Sequence, residues 1–167
     1  NLPGASNLQD VAFLSDKYIA VGNNATILTS NVDGSAWEAQ DAGPVPGATS
    51  FNAVAASDDR IVVVGSNGTV VTSVDAQNWE QQLPVGNNNL NDITWDGSRF
   101  TVVGSNDTVF TSPDGLTWTA HIPGTADINL VAVTQFDSGL PQNPFVAAVG
   151  SSGTMVIDPA AEPGTIV

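Results

Sequence analysis

Asp10 and Asp92 occupy the same place in two related stretches, "LQDVAF" and "LNDITW". A pair of carboxylates is the equipment of glycoside hydrolysis, provided the two groups flank a bond at roughly 5–10 Å. Amides stand beside them or at the matching place in a third stretch: Gln9, Asn52 and Asn91. Trp95 follows three residues after Asp92, where the related stretches have Phe13, Ala56 and Gln135. Asp10, Asn52, Asn91, Asp92 and Trp95 are therefore the candidate ligand-binding residues. Amides beside carboxylates suit hydrogen bonds to hydroxyls or a hydrated cation, and an unrepeated indole suits a sugar face or a partner side chain. The same set equally makes a plain wet rim. No unrepeated cluster of acid, base and nucleophile accompanies it, so the reading is a non-enzyme with no catalytic residues.

Other reactive types fall at repeated positions, which favours structural work. Asp33, Asp75 and Asp114 each precede a tryptophan by four residues: Trp37, Trp79 and Trp118. A carboxylate there accepts turn N–H groups. Calcium would need six or more oxygens, and no dense Asp-x-Asp-x-Asp loop is present. No cofactor and no metal site are expected. Three equivalent tryptophans read as packing between like elements. The only bases, Lys17, Arg60 and Arg99, share one aligned turn position, and each is expected to neutralise nearby carboxylates. His121 is the single histidine and there is no cysteine, which leaves no histidine-rich metal site, thiolate site or disulfide. The balance of 17 acids against 3 bases, net −14, repels phosphate backbones and anionic headgroups, so neither nucleic acid nor a membrane surface is an expected partner. No stretch approaches the ~18 apolar residues of a membrane-spanning helix.

These residues are positioned by an internal repeat. Related segments begin at Leu8, Phe51, Leu90 and Leu130, and Val-Gly pairs at Val21-Gly22, Val64-Gly65, Val103-Gly104 and Val149-Gly150 mark the register. The repeats run approximately over 8–47, 51–86, 90–124 and 130–164. Each reads as four short strands separated by turn signals, with no convincing helical periodicity. The second turn is Asn23-Asn24, Asn67-Gly68, Asn106-Asp107 or Ser152-Gly153, residue types that tolerate positive φ. Glycosylation sequons at Asn24, Asn67 and Asn106 coincide with these turns, so turn chemistry accounts for them. Four antiparallel strands every ~40 residues is the period of a β-propeller blade.

"SPDGLTW", Ser112 to Trp118, resembles the Asp-box (BNR) signature Ser-x-Asp-x-Gly-x-x-Trp, shortened by one residue. "SVDAQNW" keeps its Ser, Asp and Trp, and "SNVDGSAW" carries one extra residue before Asp33. The repeats as a whole resemble those of bacterial surface and secreted propellers and of photosystem II assembly factors. The resemblance implies an all-β fold: a β-propeller of four blades, each a four-stranded antiparallel sheet, as a closed ring or as half of a larger one. Sialidases share the motif, but their chemistry needs three arginines and a tyrosine nucleophile. This chain has two arginines and a single tyrosine, Tyr18, inside a strand. Assembly factors of the photosystem type carry a basic patch, and here there are three bases in all.

The expectation is a single propeller domain over 1–167 acting as a binding scaffold, exported or at a cell surface (extracellular, periplasmic or cell-surface). Its partner is a protein, or in the second reading a carbohydrate bound in lectin fashion. Residues 1–7 are a candidate to complete the last blade, whose own outer strand is unconvincing. "EPGTIV" reads as a linker and the start of a further first strand. Open strand edges also admit a homodimer.

Overall fold

The computed structural model describes residues 7–14, 16–46, 49–121, 127–136, 145–153, 155–158 and 165–166. Among the described residues sixteen strands form four antiparallel four-stranded sheets, each ordered as the chain runs. The first sheet holds β1 (Leu8–Leu14), β2 (Lys17–Gly22), β3 (Thr26–Ser30) and β4 (Trp37–Gln40). The second holds β5 (Phe51–Ala56), β6 (Ile61–Gly65), β7 (Val70–Ser73) and β8 (Glu80–Gln81). The third holds β9 (Leu90–Trp95), β10 (Phe100–Gly104), β11 (Val109–Ser112) and β12 (Thr119–His121). The fourth holds β13 (Leu130–Phe136), β14 (Phe145–Gly150), β15 (Met155–Asp158) and β16 (Thr165–Ile166). The chain divides into two units, Asn1–Asn89 with the first two sheets and Leu90–Val167 with the last two.

Within the first unit the sheets meet through Ile19, Val21 and Ile27 on one side and Phe51, Val54, Ile61, Val63, Val71 and Trp79 on the other. In the second unit Val103 packs with Leu130, Val133, Val146 and Ala148. The run Ile61–Gly65 is buried at every residue. A strand covered on both faces reads as a continuous apolar run rather than an alternation.

The Val-Gly markers have a steric cause. The backbone after three of the four glycines docks on the residues leading into the first strand, through Asn23 N–H to Asn7 O, Ser66 N–H to Ser50 O and Ser151 N–H to Asn129 O, each 2.9 Å. A Cβ on Gly22 or Gly65 would overlap Asn7 O or Ser50 O. The second turns have positive φ at both central residues: Asn24 and Ala25 (55° each), Asn67 and Gly68 (55° and 68°), Asn106 and Asp107 (52° and 55°), Ser152 and Gly153 (61° and 75°). That is the sign pattern of a hairpin turn matched to strand twist. In the first sheet the turn sits one residue later than the sequence pattern suggests, on Asn24-Ala25.

One expectation is corrected at the end of the chain. β16 pairs antiparallel with β15, Ile166 opposite Val156 and Thr165 opposite Ile157. Thr165–Ile166 thus supplies the outer strand of the fourth sheet instead of beginning a new first strand. Of residues 1–7, the other candidate for that place, 1–6 lie outside the described residues.

Candidate functional site

Each first strand carries a bulge. Leu8 is opposite Gly22 but Asp10 is opposite Val21, so Gln9 is the extra residue. By the same register Asn52, Asn91 and Val131 are the extra residues of β5, β9 and β13. A bulge interrupts the ladder and re-aims the neighbouring groups. The residue after each bulge is Asp10, Ala53, Asp92 or Ala132, so aspartate and alanine alternate along the chain.

The alternation has a hydrogen-bonding logic. Val11 N–H donates to Asp10 Oδ1 at 2.8 Å, and Val54 N–H donates to Asp10 Oδ2 at 2.8 Å. In the second unit Ile93 N–H donates to Asp92 Oδ1 at 2.9 Å, and Val133 N–H to Asp92 Oδ2 at 2.7 Å. Each carboxylate therefore serves the N–H after itself and the equivalent N–H of the following sheet. Where the sheet has its own aspartate, that N–H is served locally. Where it has alanine, the N–H is served by the sheet before. These are first-strand N–H groups on a sheet edge, which would otherwise lack an acceptor.

The other candidate residues are engaged in the same way. Asn91 Nδ2 donates to Asn129 Oδ1 (2.9 Å) and to Leu130 O (2.6 Å), a second tie between the third and fourth sheets. Gln9 Nε2 donates to Asn23 Oδ1 at 3.1 Å. Asn52 is half-buried at the bulge of β5. Trp95 is half-buried and lies opposite Phe100, with ring centroids 4.5 Å apart at a 48° tilt. It is packed on its own sheet rather than presented as a free platform. Asp10 and Asn52 belong to the first unit; Asn91, Asp92 and Trp95 belong to the second.

The repeated aspartates cap their turns. Asp75 Oδ1 accepts Gln77 N–H (2.9 Å) and Asn78 N–H (2.7 Å), and Asp114 Oδ1 accepts Leu116 and Thr117 N–H (2.8 Å each). Beneath them Ser73 Oγ accepts Ala76 N–H (2.9 Å) and Ser112 Oγ accepts Gly115 N–H (2.8 Å). In the first sheet the extra residue changes the turn. Asp33 accepts Ser35 N–H, and Asn31 Oδ1 takes Ala36 N–H instead. These bonds favour the ionised form, and the pKa of all three carboxyls lies below the usual value of 3.8. For Asp75 the Asn78 N–H is the largest cause, for Asp114 the Thr117 N–H, and for Asp33 the Ser35 hydroxyl.

The tryptophans of these turns differ. Trp37 Nε1–H donates to Gly34 O at 3.0 Å, whereas the buried indole N–H groups of Trp79 and Trp118 meet no acceptor among the described residues. Arg99 Nε pairs with Asp96 Oδ2 of its own hairpin at 3.3 Å. Lys17 lines a cleft of about 200 Å³ with Asp16 and Asp75. His121 Nε2 is 2.7 Å from Thr111 Oγ1 across β11 and β12. Among the described residues no three His, Cys, Asp or Glu side chains are grouped so as to hold a metal.

Solved structures resemble the chain throughout its length. YCF48 bound to a D1 peptide superposes with a TM-score of 0.75 at 20% identity, over 99% of this chain and 55% of that one. The WD40 β-propeller domain of Doa1 gives 0.73 at 12% identity, over 99% and 55%. The fold is that of a β-propeller. The computationally designed Ika4 protein gives 0.72 at 12% identity, over 95% of this chain and 94% of that one. The chain thus spans little more than half the length of the first two. No family model and no curated protein matches the sequence. The four sheets are blades in this sense, one for each repeat, with the outer strand of the fourth, Thr165–Ile166, just past the 130–164 bounds.

Proposed function

We propose that the chain is a non-enzymatic propeller scaffold whose ligand is a segment of another protein. The observation that carries this reading is the engagement of both candidate carboxylates. Asp10 and Asp92 each hold two backbone N–H groups at 2.7–2.9 Å, an arrangement that builds blades rather than acid–base chemistry. A neighbouring fold supports it: YCF48, which superposes on the whole chain, has been solved with a peptide of D1. Trp95, packed on Phe100, lends less to a lectin reading than a free indole would. The Asp-box resemblance of the three turns and an exported or cell-surface location belong to the same proposal. The location rests on composition, with 17 acids against 3 bases.

The test is a parallel screen of the intact chain on an array of tiled peptides and on a glycan array. Saturable binding to peptides with a silent glycan array is the expected result. Binding confined to glycans overturns the reading in favour of a lectin. Turnover of a chromogenic glycoside that is lost in Asp92→Asn overturns the non-enzymatic assignment.

A further inference from the structure

In each unit the later blade lays the same side on the earlier one. Val54, Ile61 and Val63 of the second blade face Ile19 and Val21 of the first, and Val133, Val146 and Ala148 of the fourth face Val103 of the third. The first blade presents that same side with Val11, Phe13 and Tyr18, which are 57%, 55% and 39% exposed. Their counterparts Val54 and Ile61, at the places of Val11 and Tyr18, are 5% and 0% exposed. The exposed strip runs along β1 and the start of β2, with the Phe13 and Tyr18 rings 4.9 Å apart. Farther out on the same side Ala20 and Leu28 are buried. The opposite side of the fourth blade carries Ala132, Thr134 and Val149, all exposed. Val149 is 40% exposed where its counterpart Val64 is 0%.

We propose that these two surfaces are halves of one interface between copies of this chain. The fourth blade of one copy packs on the first blade of a second, and two copies close head to tail. Two observations select a second copy as the occupant. Inside each unit the equivalent surfaces are already covered by another blade of this chain, so the complementary shape is encoded in the repeat. Neither surface carries a charged side chain among the residues named, although the chain as a whole is at −14, so two copies meet there without burying carboxylates. A head-to-tail contact makes a closed ring when its rotation closes, and otherwise a filament.

Light scattering coupled to size exclusion tests this directly on the intact chain. The expected mass is about 34 kDa, twice 17.1 kDa. Val11→Lys and Val149→Glu, each at a side chain already open to solvent in the single chain, are expected to give about 17 kDa with an unchanged β-sheet circular dichroism spectrum. The two substitutions combined in one chain place Lys against Glu across each interface and are expected to restore the dimer, because Val54 and Val21, the counterparts of Val11 and Val149, lie in one buried cluster. A parent mass of 17 kDa overturns the proposal, since the two faces then stay free or meet within one chain. A dimer that both single substitutions leave intact overturns it by placing the contact elsewhere. A ladder of higher masses overturns the two-copy closure, and failure of the combined variant to return to the dimer overturns the pairing of these faces.

Discussion

Replacing Asp10 by alanine separates a blade-building carboxylate from a ligand-binding one. The substitution removes the acceptor of two N–H groups, Val11 and Val54. In the single chain Val11 is 57% exposed, so there water replaces its lost partner at little cost. Val54 is 5% exposed, and its N–H loses a charged acceptor and gains none. A hydrogen bond to a charged group contributes about 1.5–3 kcal/mol, and an unmatched buried N–H costs about 1–3 kcal/mol, two views of the same loss. The expected destabilisation is therefore about 2–3 kcal/mol. With a urea slope of about 2 kcal/mol/M, the unfolding midpoint falls by roughly 1–1.5 M. Asp10→Asn keeps one acceptor oxygen and is expected to lose about half as much. Gln9→Ala, a neighbour that holds only an exposed side-chain bond, serves as the control and should stay within about 0.5 kcal/mol of the parent. Coincident transitions by fluorescence and circular dichroism establish that one unfolding event is being measured. A carboxylate kept for ligand binding behaves oppositely, because removing a functional group commonly raises stability. If Asp10→Ala proves neutral or stabilising, the clamp is refuted.

Three further outcomes follow from the same geometry. Gly65→Ala should cost at least about 2 kcal/mol in urea unfolding, since the new Cβ meets the Ser50 carbonyl on rigid backbone while the extended φ at this position admits any residue. Ser112→Ala should cost about 1–2 kcal/mol in the same assay, because its buried hydroxyl accepts from Gly115 N–H and donates to Asp114 Oδ1. Stability should be level at neutral pH and decline below about pH 4, because Asp33, Asp75 and Asp114 are depressed in the folded chain. Their contribution is complete above the unfolded value of 3.8 and is lost as pH falls through the lower folded values. Urea midpoints at pH 7, 4 and 3 check this, and Asp75→Asn should flatten the acid limb; an unchanged limb in that variant contradicts the assigned role.

The repeat made most of the fold legible. Val-Gly pairs, Asn-rich turns and the Asp-to-Trp spacing recur because each blade solves the same local problems of close backbone approach, hairpin twist and turn capping. Those solutions use few residue types. The outer strand of the fourth blade was not legible, since Thr165–Ile166 has neither the tryptophan nor the aspartate turn that announces the other three. The candidate site was half legible. Asp10 and Asp92 drew attention as carboxylates at matching positions, but a bulge leaves no mark on hydrophobic periodicity beyond one extra residue. Without the bulge the side chains have no reason to turn toward the next sheet. A signal was available in the aligned column Asp10, Ala53, Asp92, Ala132. A residue that recurs in every second repeat serves something that itself recurs every second repeat.

That column also explains why the chain parts where it does. One carboxylate satisfies two equivalent N–H groups in successive blades, so a propeller of this type needs only one aspartate for each pair. The alanine-bearing blade depends on the blade before it, and Asn91 adds a second tie of the same sense to Asn129 and Leu130. The pairs joined in this way, first with second and third with fourth, are the two units into which the chain divides at Asn89 and Leu90. The sequence thus repeats at two levels, a blade of about 40 residues and a clamped pair of blades. A carboxylate that reads as chemistry in a single repeat reads as architecture when two are laid side by side.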